Sequence, residues 1–316
     1  MNALLRSALV ALTFAFASIT SLSAQTPTPA PVPTQRASDK LQGFPTAEAA
    51  ADALTDAIRK DNDKAVAAIL GAGWREFVPG SADDEDRKRE EFLKAWDESH
   101  KLVPTDDTHM LIQAGNTGWV GPIPIVKDGN EWRFDIEAGR KEMTAREIGR
   151  NELSVIQTLL AIVDAQRDYA AEDPMKLGVP TYARRLVSSP GKKDGLYWET
   201  KPGEPESPLG PLVAHAQLGD VQKNGYYGYR YRMLYRQGPD AKPGGAHEYV
   251  VDGKMIAGFG VIAWPVEYGQ TGVMTFIVNQ HGDVYEQDLG PDTAAKAGAI
   301  SSFNPDKGWD KADMTP

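Results

Sequence analysis

The stretch Arg150–Asp173, "RNELSVIQTLLAIVDAQRDYAAED", decides how the rest of the chain is read. Leu153, Ile156, Leu160 and Val163 recur at helical spacing, and Val155, Leu159 and Ile162 widen the stripe. The pattern predicts one long helix from about Asn151 to Ala171 with a single apolar side. Such a helix needs a surface to cover, and the residues after it supply a sheet. "YYGYRYRMLYR" (226–236) alternates, with Tyr227, Tyr229, Tyr231, Met233 and Tyr235 on one face and Arg230 and Arg232 on the other. "HEYVV" and "KMIAGFGVIAW" flank Asp252-Gly253, and "GVMTFIVN" and "DVYEQDL" flank "QHG", each a hairpin signal. About five antiparallel strands behind one helix are expected.

Upstream, the order is helices first and strands second. Thr46 is a good N-cap for a helix carrying Ala50, Ala53, Leu54, Ala57 and Ile58. Ala65–Leu70 closes at Gly71, and a third helix after "SADDED" buries Phe92, Leu93 and Trp96. His109–Ala114, Trp119–Val126 and Glu131–Ile136 then read as strands, the last two joined at Asp128-Gly129. Helices followed by a hairpin ending "WRFDIEAG" resemble the cone of the nuclear transport factor 2-like superfamily, whose concave sheet serves both binding modules and enzymes. Trp119, Trp132 and Phe134 could line such a pocket, although aromatics at strand spacing usually pack as core.

The N-terminus points to export. Arg6, an apolar run from Ala8 to Ile19 and small residues in "TSLSAQ" have the order of a secretory signal peptide cut near Ala24. No later segment reaches the apolar length of a membrane span. Gln25–Pro45, "QTPTPAPVPTQRASDKLQGFP", reads as an extended tether. The expected plan is a signal at 1–24, a linker at 25–45, an N-terminal α+β domain at 46–146, a C-terminal α+β domain at 147–309 and a tail at 310–316. With 34 basic against 44 acidic residues the formal charge is −10, which repels nucleic acid and anionic lipid. The chain has no cysteine, so no disulfide framework is available and the cores must hold it together.

Catalytic constellations are scarce. The five histidines, His100, His109, His215, His247 and His281, lack paired helical spacing, so neither metal nor cofactor is expected. Ser189 and Lys192 match a Ser-x-x-Lys spacing, but Pro190-Gly191 predicts a turn where a nucleophile needs a helix. Glu267, Asp283, Glu286 and Asp288 could supply an acid and a base for glycan cleavage, or simply form a solvated edge. Tyr182–Gln217 is a long Pro/Gly-rich loop. In or beside loops lie Tyr197, Trp198, Tyr226, Tyr227, Trp264 and Tyr268, rings able to stack on sugar or peptide or to pin the long loop to the sheet. Strand grammar accounts for most of Ala263–Gly290 and leaves Glu267, Tyr268 and Gln270 unexplained.

"DAQRDYA", "YARRL", "GYYGYRYRML" and "AWPVEYGQTGVMTFIVNQHGDVY" together resemble the globular head of type IV pilins and pseudopilins, without the apolar half-helix that builds their fibre. Over roughly Phe44 to Trp309, the blocks "FPTAEAAADAL", "IGRNEL", "SPGKKDGLYW", "SPLGPLV", "QGPDAKPGGA" and "AWPVEYGQTGVMTF" resemble a bacterial exported family, domain of unknown function 2950. That resemblance implies the compartment and brings no reaction or site residue. The expectation is an exported, periplasmic or secreted, non-catalytic interaction module, with Tyr197, Trp198, Tyr226, Trp264, Glu267, Tyr268 and Gln270 as the surface for an envelope protein or glycan. The alternative is an envelope hydrolase or small-ligand binder using a pocket in the first domain.

Overall fold

The computed structural model, an α+β fold, describes residues 41–214 and 224–313. The signal-like segment, the linker as far as residue 40, the end of the long loop at 215–217 and the last tail residues lie outside the described residues.

The first half is built from capped helices over a small sheet. Helix α1, Ala47–Arg59, starts where Thr46 Oγ1 accepts from Ala49 N at 3.1 Å, and α2, Asp63–Leu70, where Asn62 Oδ1 accepts from Ala65 N at 3.1 Å. After a short 3₁₀ turn at Trp74–Phe77, α3 spans Ala82–Glu98 behind a capping box of Ser81 and Asp84. Strands β1 (His100–Pro104), β2 (His109–Ala114), β3 (Ile125–Asp128) and β4 (Glu131–Phe134) form an antiparallel sheet in sequence order. Two details differ from expectation. β1 pairs with Met110–Ala114 of β2 although "HKLVP" has no clear alternation, and residues 119–124 join the sheet only at an isolated Val120–Gln113 bridge. Pro122 and Pro124 lack the N–H a ladder needs.

Helix α4 runs from Ile136 to Glu172, 37 residues, or about 55 Å at the α-helical rise. It begins fifteen residues before the expected start at Asn151 because Asp135 caps it, accepting from Ala138 N at 2.9 Å. The boundary expected at residues 146–147 thus falls inside this helix. Gly139 explains how the early turns pack: a Cβ there would meet Ile123 and Phe77, so only glycine lets α4 lie this close to the first core. Farther along, the buried stripe is Val155, Ile156, Leu159, Ile162, Val163 and Gln166, whereas Leu153 is 41% exposed. The core under α4 therefore takes Ile156 and Val163 together with the widening residues and leaves Leu153 at the flank of the stripe.

The second half centres on a five-stranded antiparallel sheet ordered β15-β14-β13-β12-β7, formed by Tyr229–Leu234 (β7), Gly260–Pro265 (β12), Met274–Asn279 (β13), Val284–Asp288 (β14) and Asp310–Lys311 (β15). Alternation assigns the faces. Tyr229, Met233, Val261, Ala263, Phe276 and Val278 join the core under α4. Leu234, Ile262 and Ile277 join a second core with Phe303 and Ala297, the latter on the short helix Thr293–Ala299. The hairpin expected about Asp252-Gly253 forms, but outside this sheet: Val250–Val251 (β10) pairs with Lys254–Met255 (β11), while Arg236–Gln237 (β8) pairs with His247–Glu248 (β9). The fifth strand comes instead from residues expected to be tail. Lys311 Nζ reaches Asp283 at 2.7 Å and Ala312 N donates to Val284 O at 2.9 Å, which ties that end to the sheet edge. Inside the long loop, Arg185–Val187 (β5) and Gly195–Tyr197 (β6) form a short parallel pair, and Gly210–Ala214 a short helix (α5) that makes Thr293–Ala299 α6.

Candidate functional site

A cavity of about 720 Å³ opens in the first half. Its walls are the inner faces of α1 (Leu54, Ile58), α2 (Val66, Leu70) and α3 (Phe92), with Trp74 and Phe77 from the 3₁₀ turn and Ile112, Ile123 and Phe134 from the sheet side. The amphipathic stripes that build the core thus also line a space they do not fill. Trp119, 45% exposed, stands at its edge with its ring 6.1 Å from that of Phe92. Trp132 packs against the same core without lining the space, and Lys127 Nζ lies 5.9 Å from its ring centre.

The charged lining residues are Asp61, Asp63, Glu85, Lys88, Arg89 and Glu91, most of them in ion pairs, while Lys88 Nζ donates to Pro79 O. Arg89 pairs with Asp61 and, at 2.7 Å, with Asp86; Arg75 pairs with Asp63 and lies 3.9 Å from Glu85. The lining among the described residues contains no Ser, His or Tyr, and its only uncharged polar side chains are Asn62 and Thr117. Such a space can exclude water from an apolar body. It offers no nucleophile with a base beside it.

The residues expected to form a partner surface are spread over separate places. Tyr197 and Trp198 pack against the core under α4; the Trp198 ring meets Tyr169 edge-on at 6.4 Å, and Lys193 Nζ sits 5.0 Å from it. The Trp198 indole N–H is buried and has no hydrogen-bond acceptor among the described residues. Tyr226 stacks edge-on with Tyr227 at 4.5 Å, and burial, then that neighbour, pushes its phenol up to about 12. Trp264 belongs to the opposite side of the sheet, against the second core, with the Arg232 guanidinium 6.0 Å from its ring. Glu267 and Gln270 are exposed on the loop after β12, and Tyr268 there donates to Asp288 Oδ2 at 3.2 Å.

That loop is held from below by two residues the sequence did not single out. Glu152 Oε1, on α4, accepts from Val273 N and Met274 N, each at 2.9 Å, and Asn151 Nδ2 donates to Thr271 O at 3.0 Å. Tyr229 O–H donates to Met274 O at 2.9 Å beneath Gly272, where any Cβ would collide with the phenol. The available signal was "RNEL": a polar pair at the start of an otherwise apolar stripe.

Other candidates are occupied locally. Ser189 Oγ donates to Asp194 Oδ2 at 2.9 Å, and Lys192 N donates to Ser189 O at 2.9 Å, so "SPGK" is a turn closed by Asp194. Of the four carboxylates, Asp283 pairs with Lys311 and Asp288 accepts from Gly290 N at 2.7 Å. Glu286 is half-buried; burial, then the nearby Glu152, Asp310 and Asp313, raises its carboxyl above the ordinary range. Among the described residues no group of His, Asp and Glu side chains is arranged to hold a metal ion. No helix of the described residues is long and apolar enough to cross a membrane.

No curated protein and no solved structure matches the chain. Residues 41–312 match the family described as "Protein of unknown function (DUF2950)", and the chain belongs to that family.

Proposed function

We propose that this is an exported, non-catalytic binding protein whose first half takes up an apolar small molecule, or the apolar part of one. The observation that carries this reading is the cavity of about 720 Å³, which falls within the usual size of ligand pockets, has largely apolar walls and has most of its charged lining residues in ion pairs. The signal-like N-terminus supports export to the periplasm or beyond. Helices over a sheet with a space between them favour the likeness of this half to the nuclear transport factor 2-like cone. Titration of the mature chain with the apolar dye phenylnaphthylamine is expected to give one saturable site per chain, displaced by decanoate. Absence of saturable binding, or turnover of peptidoglycan or peptide by the purified chain, overturns the reading.

A second surface is favoured by the clamp of Asn151 and Glu152 under the loop 266–273, which presents Glu267 and Gln270 on a fixed backbone. A long helix on an antiparallel sheet favours the likeness of this half to a pilin head, and an envelope protein or glycan is its proposed partner. A photocrosslinking residue at Tyr268 in living cells is expected to capture one recurrent species; capture indistinguishable from that of a probe at exposed Lys60 removes this surface.

A further inference from the structure

A second cleft, of about 350 Å³, lies in the other half of the chain, where the turn after α4, the "YARR" segment and the β10–β11 hairpin meet. Its backbone is fixed by side chains reserved for that purpose. Gln166, fully buried on the apolar stripe of α4, donates to Ala183 O at 2.9 Å and accepts from Ala183 N at 2.8 Å, a two-pronged grip beside Arg184. Tyr182 N donates to Met255 O at 2.8 Å, which draws the segment against the hairpin. Asp173, in a left-handed conformation with φ 45°, accepts from Leu177 N and Gly178 N at 2.8 Å each and shapes the facing turn.

Three basic residues line this frame: Arg184, Arg185 and Lys254. Tyr235 positions the first, donating to Arg184 O at 3.0 Å with its ring centre 5.9 Å from the guanidinium. Among the described residues, neither Arg184 nor Lys254 has a carboxylate at ion-pair distance, and Arg185 Nε is 3.8 Å from Asp194 Oδ2. Two carboxylates face the group, and both are already engaged. Asp173 accepts from the backbone of its own turn, with Lys254 near enough to contribute to its lowered pKa, and Asp194 accepts from Ser189 N and Oγ at 2.7 and 2.9 Å. Tyr182, Tyr235 and Met255 supply apolar wall between the charges.

Cations gathered in a concave, rigid site repel one another until an anion is shared among them, and arginine matches phosphate and carboxylate oxygens in a two-pronged fashion. We propose that this cleft binds a small molecule through an oxyanion head group, phosphate or carboxylate, held by Arg184, Arg185 and Lys254, with its apolar body against Tyr182 and Tyr235. The site is separate from the apolar cavity of the first half and does not rest on that reading.

The test is calorimetric titration of the mature chain with phenyl phosphate, phenylacetate and inorganic phosphate, alongside sedimentation with phosphatidylglycerol and phosphatidylcholine vesicles. Phenyl phosphate or phenylacetate is expected to bind at one site, at least about tenfold more tightly than inorganic phosphate, with affinity falling as salt rises. Arg184→Gln and Lys254→Gln, on separate elements, are each expected to weaken that binding about tenfold or more, while Arg87→Gln on α3 leaves it unchanged. Unliganded melting temperatures of the variants check that each is folded. Sedimentation with phosphatidylglycerol alone, lost in both variants, supports the same head-group chemistry on a lipid. No binding to any probe at millimolar concentration, or binding that survives both substitutions in folded protein, overturns the proposal.

Discussion

Two alanines on α1 give the cavity a test of sign. Ala50 and Ala57 are seven residues apart, so they share a helix face, and both are buried, at 0% and 5% exposure. Only Ala57 borders the cavity. Ala57→Leu adds three carbons that have empty space to enter. At roughly 0.8 kcal/mol per buried methylene this is worth about 2.4 kcal/mol, less roughly 0.5–1 kcal/mol for ordering the new side chain. A net gain of about 1.5 kcal/mol corresponds to a melting temperature higher by roughly 3 °C in a chain of this size. Ala50→Leu adds the same carbons where the core is filled, and overpacking there costs about 1–3 kcal/mol. Circular dichroism melts and urea titrations of both variants measure the difference, and phenylnaphthylamine affinity should fall in A57L alone. If both variants lose stability alike while dye binding is untouched, the space beside Ala57 is not a cavity and the reasoning fails.

Two further outcomes follow from local chemistry. Glu152→Ala leaves the amides of Val273 and Met274 without their acceptor, so a loss of about 2 kcal/mol or more is expected, with faster hydrogen exchange at those two amides; Glu152→Gln keeps one acceptor oxygen and should lose less. Asp84 is held down to about 2, first by hydrogen bonds from the Ser81 backbone and hydroxyl, then by Arg87. Its folded pKa is below the unfolded value near 3.9, so its contribution to stability is complete above that value and is lost as pH falls toward about 2. Carboxyl NMR should show the low midpoint, and Asp84→Ala should flatten the acid limb of stability across that window.

What the sequence made legible was what neighbours along the chain decide. The alternation of Tyr229–Leu234 and the turns at Asp128-Gly129 and His281-Gly282 act over a few residues, and strands flank each turn, although the one expected at Trp119–Val126 is Ile125–Asp128 and the one expected at Glu131–Ile136 ends at Phe134. The start of α4 was obscured because "EAGRKEMTAREIGR" is polar and contains two glycines; its helicity rests on the Asp135 cap and on Gly139 meeting Ile123 and Phe77, partners that lie before it in the chain. Strands β1 and β15 are recruited by ladders already present and have too little pattern of their own to announce themselves. The cavity was illegible in a deeper sense. Apolar stripes on α1, α2 and α3 say that these helices face one another, and the volume left between them depends on how far apart their backbones settle. Gln166 could have been found: it is the one amide side chain at the stripe spacing of Val155, Leu159 and Ile162, and a lone amide on an apolar face usually has a backbone to hold.

The charge of the whole chain and the charge of the second cleft have opposite signs, and that contrast constrains the ligand. In the first half, arginines are spent on neighbours: Arg59 on Asp97, Arg75 on Asp63, Arg89 on Asp61 and Asp86, Arg140 on Glu76 and Glu137. Around the cleft Arg185 lies 3.8 Å from Asp194, and among the described residues Arg184 and Lys254 have no carboxylate at ion-pair distance. A net −10 acts on any large polyanion along its whole length and opposes its approach, whereas a small anion feels chiefly what lies within a Debye length of about 8 Å at physiological salt. Inside that radius the three cations Arg184, Arg185 and Lys254 outnumber the two carboxylates Asp173 and Asp194. The same surface that turns away nucleic acid therefore admits a single phosphate or carboxylate group, and because both kinds of ligand are anions the selection is by size.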